Sequence, residues 1–412
     1  MLSNTIFNTI QKISFIKRTK FYNFCKEIIF PFIVTNISKL FKDDIDEKLI
    51  VMGAFGGGAF VDNSKYLFEF LNERSDYKLV WIAKLNHVAE VIRKKGYKVV
   101  STYSLKAIKL LRSAKFIFMT HGHMDLLPIR FSPKTTKILT FHGTPIKRVD
   151  FNIKEAFMYN GWGDYFRLKL KNNQYIDYVL THSGNKIEHD VLSKQLLISS
   201  KKILPLGYPR NDILLCKEKE FTEELKKKYN ISEGIERIIL YAPTFRSNLI
   251  VKFEISKQEL NRLNKLLNEL NSLFLIKGHM VSEKIDFNDQ KSIKLLDKSA
   301  DIQELLIISD LLITDYSSVQ LDFLLTLKPV ILFPYDYDEY YRTKGLNYDL
   351  EEIAGGPIVY TTEDLIDTIR NIDNIDYKFK EKRIMLRERF NKYVDDKSTE
   401  RVLDFFNIKY RA

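Results

Sequence analysis

From residue 49 onward the chain alternates short apolar runs with longer amphipathic stretches, and it does so twice. The first series of runs covers residues 49–55, 78–83, 98–101, 115–119, 137–141 and 178–181, with helical patterns between several of them, as at 64–72 and 105–112. Such alternation predicts strands joined by crossover helices, and hence a parallel sheet covered on both faces. A polar, irregular stretch at 208–235 then interrupts the pattern. The alternation restarts with runs at 238–241, 273–276, 311–314 and 330–333 and helical stretches at 261–270, 318–327 and 363–371. Two further helical stretches, 382–393 and 399–406, close the chain.

The expectation is therefore an α/β protein of two Rossmann-like doubly wound domains facing a cleft, in the manner of GT-B transferases. The divisions are a segment at 1–48, a first domain at 49–207, a linker at 208–235 and a second domain at 236–412. A length of 412 residues suits two cores better than one. Ligands of such sheets sit beyond the carboxyl ends of the strands, so the residues following each run carry the functional argument.

Net charge is +12, and residues 1–42 hold +6 of it: Lys12, Lys17, Arg18, Lys20, Lys26, Lys39 and Lys42 against Glu27. Leu2, Ile6, Ile10, Ile13 and Ile16 follow helical spacing among several phenylalanines. A basic amphipathic segment of this kind suits an anionic membrane surface, where the chain would be peripheral on the cytoplasmic face. The plainer alternative is docking on the protein's own core. The most apolar run of this segment, 28–38, contains Pro31 and falls well short of the ~20 residues that span a bilayer. No apolar core of a signal peptide follows the basic residues. Cys25 and Cys216 are too few and too far apart for a disulfide framework or zinc knuckle, which suits a reducing cytosol.

Beyond the strand ends, charge and hydroxyls recur. His142 follows the run at 137–141, and its unperturbed pKa near neutrality suits a general base. Lys147 returns a positive charge five residues later. Thr244 and Arg246 follow 238–241, Lys277 and His279 follow 273–276, and Asp315, Ser317 and Ser318 follow 311–314. Each could serve its own loop: a strand-end histidine bonds its turn, and a serine before a helix is an ordinary cap. Taken together they make a cationic pocket suited to a diphosphate. Asp336 and Asp338 have the DxD spacing of some metal sites, but a solvated turn explains them better. His121 and His123 lack a third ligand nearby, and the glycines at 56–58 lack a phosphate-loop spacing. The sequence requires no cofactor and leaves a divalent metal open.

The ordered set HGTPIK (142–147), LGYPRND (206–212), YAPTFR (241–246), KGH (277–279), SDLLITDYSSVQLDF (309–323) and KPVILFPYD (328–336) resembles the CDP-glycerol:poly(glycerol phosphate) glycerophosphotransferases, the teichoic-acid polymerases and primases. The likeness spans about residues 49–404. It implies donor binding in the C-terminal domain, His142 as base, and His279 as acid or ligand at the donor diphosphate. It also implies Lys147, Arg210, Thr244, Arg246, Lys277, Asp315, Ser317, Ser318, Asp322, Lys344 and Gly345 around the substrate. Lys344-Gly345 stands where relatives often have Arg-Gly, and Gly355-Gly356-Pro357 where they have Pro-Gly-Pro. Lysine keeps the charge without the bidentate geometry, so the polyol stays open between glycerol and ribitol.

The expected reaction is transfer of a polyol phosphate from CDP-glycerol or CDP-ribitol to a lipid-linked teichoic-acid or capsule polymer, with release of CMP. One alternative is a GT-B glycosyltransferase using a nucleotide sugar. Another is a non-enzymatic basic binder, but the charge does not form the stripe of a nucleic-acid partner.

Overall fold

The computed structural model describes residues 30–148, 174–216, 218–244, 255–277, 291–297 and 299–411. The chain forms two compact units: residues up to His142 with 171–180 and 403–412, and residues 143–170 with 181–402.

In the first unit six parallel strands, β1 (Asp46–Gly53), β2 (Lys78–Ala83), β3 (Val99–Ser101), β4 (Ala114–Met119), β5 (Thr136–Leu139) and β6 (Tyr178–Leu180), lie in the order β3-β2-β1-β4-β5-β6. Ile50, Val51 and Met52 of β1 and Ile117, Phe118 and Met119 of β4 are all inaccessible to solvent. Burial on both faces explains why these strands read as unbroken apolar runs rather than alternating ones. Crossover helices Asp62–Arg74, Asn86–Lys94 and Leu105–Ser113 cover the sheet. Ser104 caps the last of these by accepting from the Ala107 N–H at 3.1 Å. The C-terminal residues return to this unit, where the Arg411 N–H donates to the Arg74 carbonyl and Phe406 meets Phe116 and Tyr178 edge-on. The strand order reverses between β1 and β4, so this is the unit's switch point.

Helix Phe30–Ser38 also belongs here: Val34 is buried and Thr35 donates to the Pro128 carbonyl, while Phe32 and Leu40 face solvent. Most of the basic segment, residues 1–29, lies outside the described residues. Among the described residues no helix is long and apolar enough to cross a membrane.

The second unit contains a two-residue strand β7 (Ile203–Leu204) and a five-stranded parallel sheet. Its strands are β8 (Arg237–Tyr241), β9 (Ser272–Ile276), β10 (Ile293–Leu295), β11 (Leu311–Thr314) and β12 (Val330–Leu332), in the order β10-β9-β8-β11-β12. Successive residues serve opposite faces, as strand geometry requires. Leu240, Leu275 and Leu312 pack with Leu386 and Phe390 on one side; Ile239, Phe274 and Ile313 pack with Leu263 and Ile366 on the other. A capping box between Ser256 and Glu259 starts the helix Lys257–Glu269. The switch point falls between β8 and β11.

Two Rossmann-like doubly wound units were thus legible in the sequence, but the chain passes between them at other places than 207/208 and 235/236. Residues 181–207 belong with the second unit, where the Lys392 N–H donates to the His182 carbonyl and Arg389 lies 3.7 Å from Glu188. The stretch expected as a linker holds a 3-10 segment Pro209–Leu215 and the helix Lys219–Lys228, whose Leu225 enters the second core.

Candidate active site

At the first unit's switch point one buried carboxylate organises two loops. Asp125 Oδ1 accepts from the Gly56 N–H at 2.7 Å, and Oδ2 accepts from the N–H groups of Thr120 and His121 at 2.7 and 2.6 Å. Burial raises its pKa, opposed by the nearby His121 and by those three donors. The glycine run at 56–58 is therefore an ordered 3-10 turn pinned by Asp125.

His142 ends the first unit's run and is exposed. Its ring stacks on His121 with centroids 4.2 Å apart and planes 9° from parallel, and Phe55 meets His121 edge-on. The turn that presents it is held from below: buried Asn63 donates to the carbonyls of Thr140 and Phe141 at 3.2 and 2.9 Å. Phe141 adopts a left-handed conformation there (φ 57°). An exposed imidazole on a clamped turn can exchange a proton with a ligand.

In the second unit, the ends of β8 and β11 are joined by a second carboxylate. Asp315 is fully buried, and its Oδ1 accepts from the N–H groups of Thr244 and Tyr316 at 2.8 and 2.6 Å. Thr314 Oγ1 donates to the Ala242 carbonyl and the Lys277 N–H to the Tyr241 carbonyl, which aligns three strand ends. Lys277 Nζ donates to the Ala300 carbonyl at 2.6 Å, and burial lowers its pKa against the pull of Asp301 and Asp297. Ser317 Oγ accepts from the Val319 N–H at 3.3 Å, whereas the Ser318 hydroxyl makes no cap bond. The helix they start, Val319–Phe323, has only five residues, so its dipole adds little.

The HGTPIK segment enters the second unit at Gly143 and is stitched there along its length. The Asn347 side chain donates to the carbonyls of Pro145 and Lys147, the Asn347 N–H to Ile146, and the Arg148 N–H to Gly345. Lys147 bridges Leu346. Gly143 has φ 128°, and a Cβ there would collide with Ser318 Oγ and lie 3.1 Å from Arg210 Nη2. Only glycine lets this turn rest on Ser318. Arg210 in turn pairs with Asp322 at 2.6 Å, and Asn211 and Gln303 complete the buried network.

Of the residues singled out from sequence, Gly345 and Lys147 thus lie on the stitched segment, and Thr244, Lys277, Asp315, Ser317 and Ser318 gather at the second unit's strand ends. Lys344 is exposed. Arg210 and Asp322 face each other, and Asp315 ties the end of β8 to its own loop. Arg246 and His279 lie outside the described residues. Asp336 accepts from the Tyr316 hydroxyl at 2.9 Å, a structural role for that carboxylate. His123 stacks on Tyr175. Among the described residues no group of three His, Cys, Asp or Glu side chains could hold a metal. Gly356 abuts the Val330 carbonyl so closely that no side chain fits, whatever residue precedes it. Sequence reasoning missed Asn63, Asp125 and His182, lone polar residues whose partners arrive only with the fold.

Two doubly wound units, the second with Lys277 and the hydroxyls of Thr244, Ser317 and Ser318 beyond its strand ends, give the architecture of a GT-B-type transferase. The chain belongs more narrowly to the CDP-Glycerol:Poly(glycerophosphate) glycerophosphotransferase family, whose model matches residues 35–407. It is 31% identical over 392 residues to the teichoic acid glycerol-phosphate transferase of Staphylococcus aureus, covering 92% of this chain and 98% of that one. It is 33% identical over 346 residues to the teichoic acid poly(glycerol phosphate) polymerase of Bacillus spizizenii, covering 80% and 84%. A structure of the wall teichoic acid polymerase TagF soaked with CDPG superimposes with a TM-score of 0.78 at 25% identity, covering 91% of this chain and 92% of that one.

Proposed function

We propose that the chain transfers glycerol phosphate from CDP-glycerol to a hydroxyl of a lipid-linked polymer at the cytoplasmic face of the membrane. His142 takes the proton from the acceptor hydroxyl, whose oxygen attacks the glycerol-side phosphorus. A new P–O bond forms as the bridging P–O bond breaks, and CMP departs with the bridging oxygen. The developing charge is met by Lys277, by the hydroxyls of Thr244, Ser317 and Ser318, and by Arg246 and His279 on sequence grounds. Such transfer depends on positioning and charge stabilisation more than on covalent chemistry.

The observation that carries this reading is the seating of Gly143 on Ser318, which brings together the two most specific motifs of the set within one unit. The activities of the Staphylococcus aureus and Bacillus spizizenii relatives and the CDPG-soaked TagF structure support glycerol as the polyol. The test is CMP release from CDP-glycerol, with CDP-ribitol and UDP-sugars in parallel and a lipid-linked glycerol phosphate as acceptor. Acceptor-dependent release from CDP-glycerol, lost in His142→Ala while CDP still binds, is expected. Release only from a nucleotide sugar, or full turnover in His142→Ala, would overturn it.

A further inference from the structure

One buried histidine of the second unit is unused by this mechanism. His182 lies after β6, 4% exposed, and its Nε2 hydrogen-bonds Thr144 Oγ1. Its ring stacks on Tyr208 with centroids 4.7 Å apart, and Arg210 sits 5.4 Å from that tyrosine ring. Its backbone is tied down as well, the carbonyl accepting from the Lys392 N–H at 2.7 Å. Thr144 is itself buried and follows Gly143, the residue that rests on Ser318 and Arg210. The turn is thus gripped on one side by Asn347 and on the other by His182.

We infer that His182 is a positioning residue for the transfer, holding Thr144 and through it the Gly143 turn against Ser318; the inference rests on the donor site proposed above. A histidine that only filled space would need no nitrogen aimed at the motif, and phenylalanine would replace it. Burial, reinforced by Arg210 and opposed by Asp322, lowers the His182 pKa to about 4, so the ring is neutral at pH 7. A neutral imidazole keeps one donor and one acceptor nitrogen, which suits a hydroxyl partner in either tautomer. Misplacing a substrate-facing turn by a fraction of an ångström lowers kcat with little effect on folding.

The experiment is a double-mutant cycle of His182→Phe and Thr144→Val, read as CMP release from CDP-glycerol, with His182→Gln and Thr144→Ser as rescues. Each of the first two should lower kcat by about ten- to a hundredfold with the donor KM moving far less. The double variant should be no slower than the worse single one. Glutamine places an amide nitrogen near the position of Nε2, and serine retains the hydroxyl, so both should recover most of the rate. Wild-type kcat in His182→Phe, or losses that multiply in the double variant, would overturn the inference. Should His182→Phe not fold, Thr144 decides: valine as fast as serine overturns it, and loss in valine alone supports it. Absence of CMP release from the wild-type protein would instead fell the proposed function. The same cycle is then read on stability by urea unfolding, where non-additive losses support the contact between His182 and Thr144 and additive or absent ones overturn the inference.

Discussion

Arg210 Nη2 lies 2.6 Å from Asp322 Oδ2, across 112 residues of sequence, with neither side chain more than 7% exposed. The pair sits beneath the turn that carries Gly143, so it sets the height of that turn without being open to substrate. Breaking a buried pair from one side leaves an uncompensated charge and costs ~3–5 kcal/mol. Arg210→Met and Asp322→Leu should each destabilise the protein by about that much, and the double variant by less than either. Urea unfolding of the three variants checks this. Additive losses would mean that the two side chains contribute independently.

Gly143→Ala tests the seating of the motif directly. Alanine is strained at φ 128°, and its Cβ would collide with Ser318 Oγ, so the turn must lift or the serine must move. The expected cost is ~1–3 kcal/mol of stability together with a loss of CMP release well beyond what that destabilisation explains. Pairing Gly143→Ala with Ser318→Ala should restore part of the stability, because it removes the clashing oxygen, while the loss of the Ser318 hydroxyl keeps the rate low. Wild-type turnover in the single variant would show that Gly143 does not rest on Ser318 in the working enzyme.

The strands that matter most were legible because they are buried on both faces: 311–314 was expected and Leu311–Thr314 is observed. Strand β10 was not, since Ile293–Leu295 is three residues long with lysines around it. The site residues show the same division. Hydroxyls and cations after strands announce an anion site through chemistry alone. Which of them meet each other does not follow from spacing: the pairing of Arg210 with Asp322 across 112 residues appears only with the fold. Asp125 was hidden for a related reason: its partners are backbone N–H groups of loops that only the sheet brings together.

Glu188 gives the protein a predictable pH response. It is buried on the helix Lys186–Leu196, accepts a hydrogen bond from the Tyr348 hydroxyl, and has Arg389 at 3.7 Å. Burial pushes its pKa up to about 7, with Arg389 opposing and Glu352 assisting. Between the ordinary carboxylate value and about 7 the folded protein keeps this proton while the unfolded chain releases it. Its contribution is therefore fully present at low pH and is lost as pH rises through 7, by at most ~3 kcal/mol. Glu188→Gln should match the wild type near pH 4.5 and exceed it at pH 8, as measured by urea unfolding at both values. Parallel stability curves would show that Glu188 is ionised in the folded protein.

The basic N-terminus makes a separate prediction about place. Val34 is already buried in the first unit and Thr35 is bonded to Pro128, so the helix Phe30–Ser38 should remain when the preceding residues are removed. Phe32 and Leu40 stay exposed beside it, at 69% and 82%. Residues 1–29 carry Lys12, Lys17, Arg18, Lys20 and Lys26 against Glu27. Each such cation contributes about 1 kcal/mol near an anionic surface, and salt screens it. Deleting residues 1–29 should abolish co-sedimentation with phosphatidylserine vesicles while leaving CDP binding intact, and raised salt should weaken binding of the full chain. Equal co-sedimentation of both forms would place the membrane contact elsewhere. Binding that is indifferent to salt but lost on deletion would assign it to the apolar stripe of Leu2, Ile6, Ile10, Ile13 and Ile16 rather than to charge.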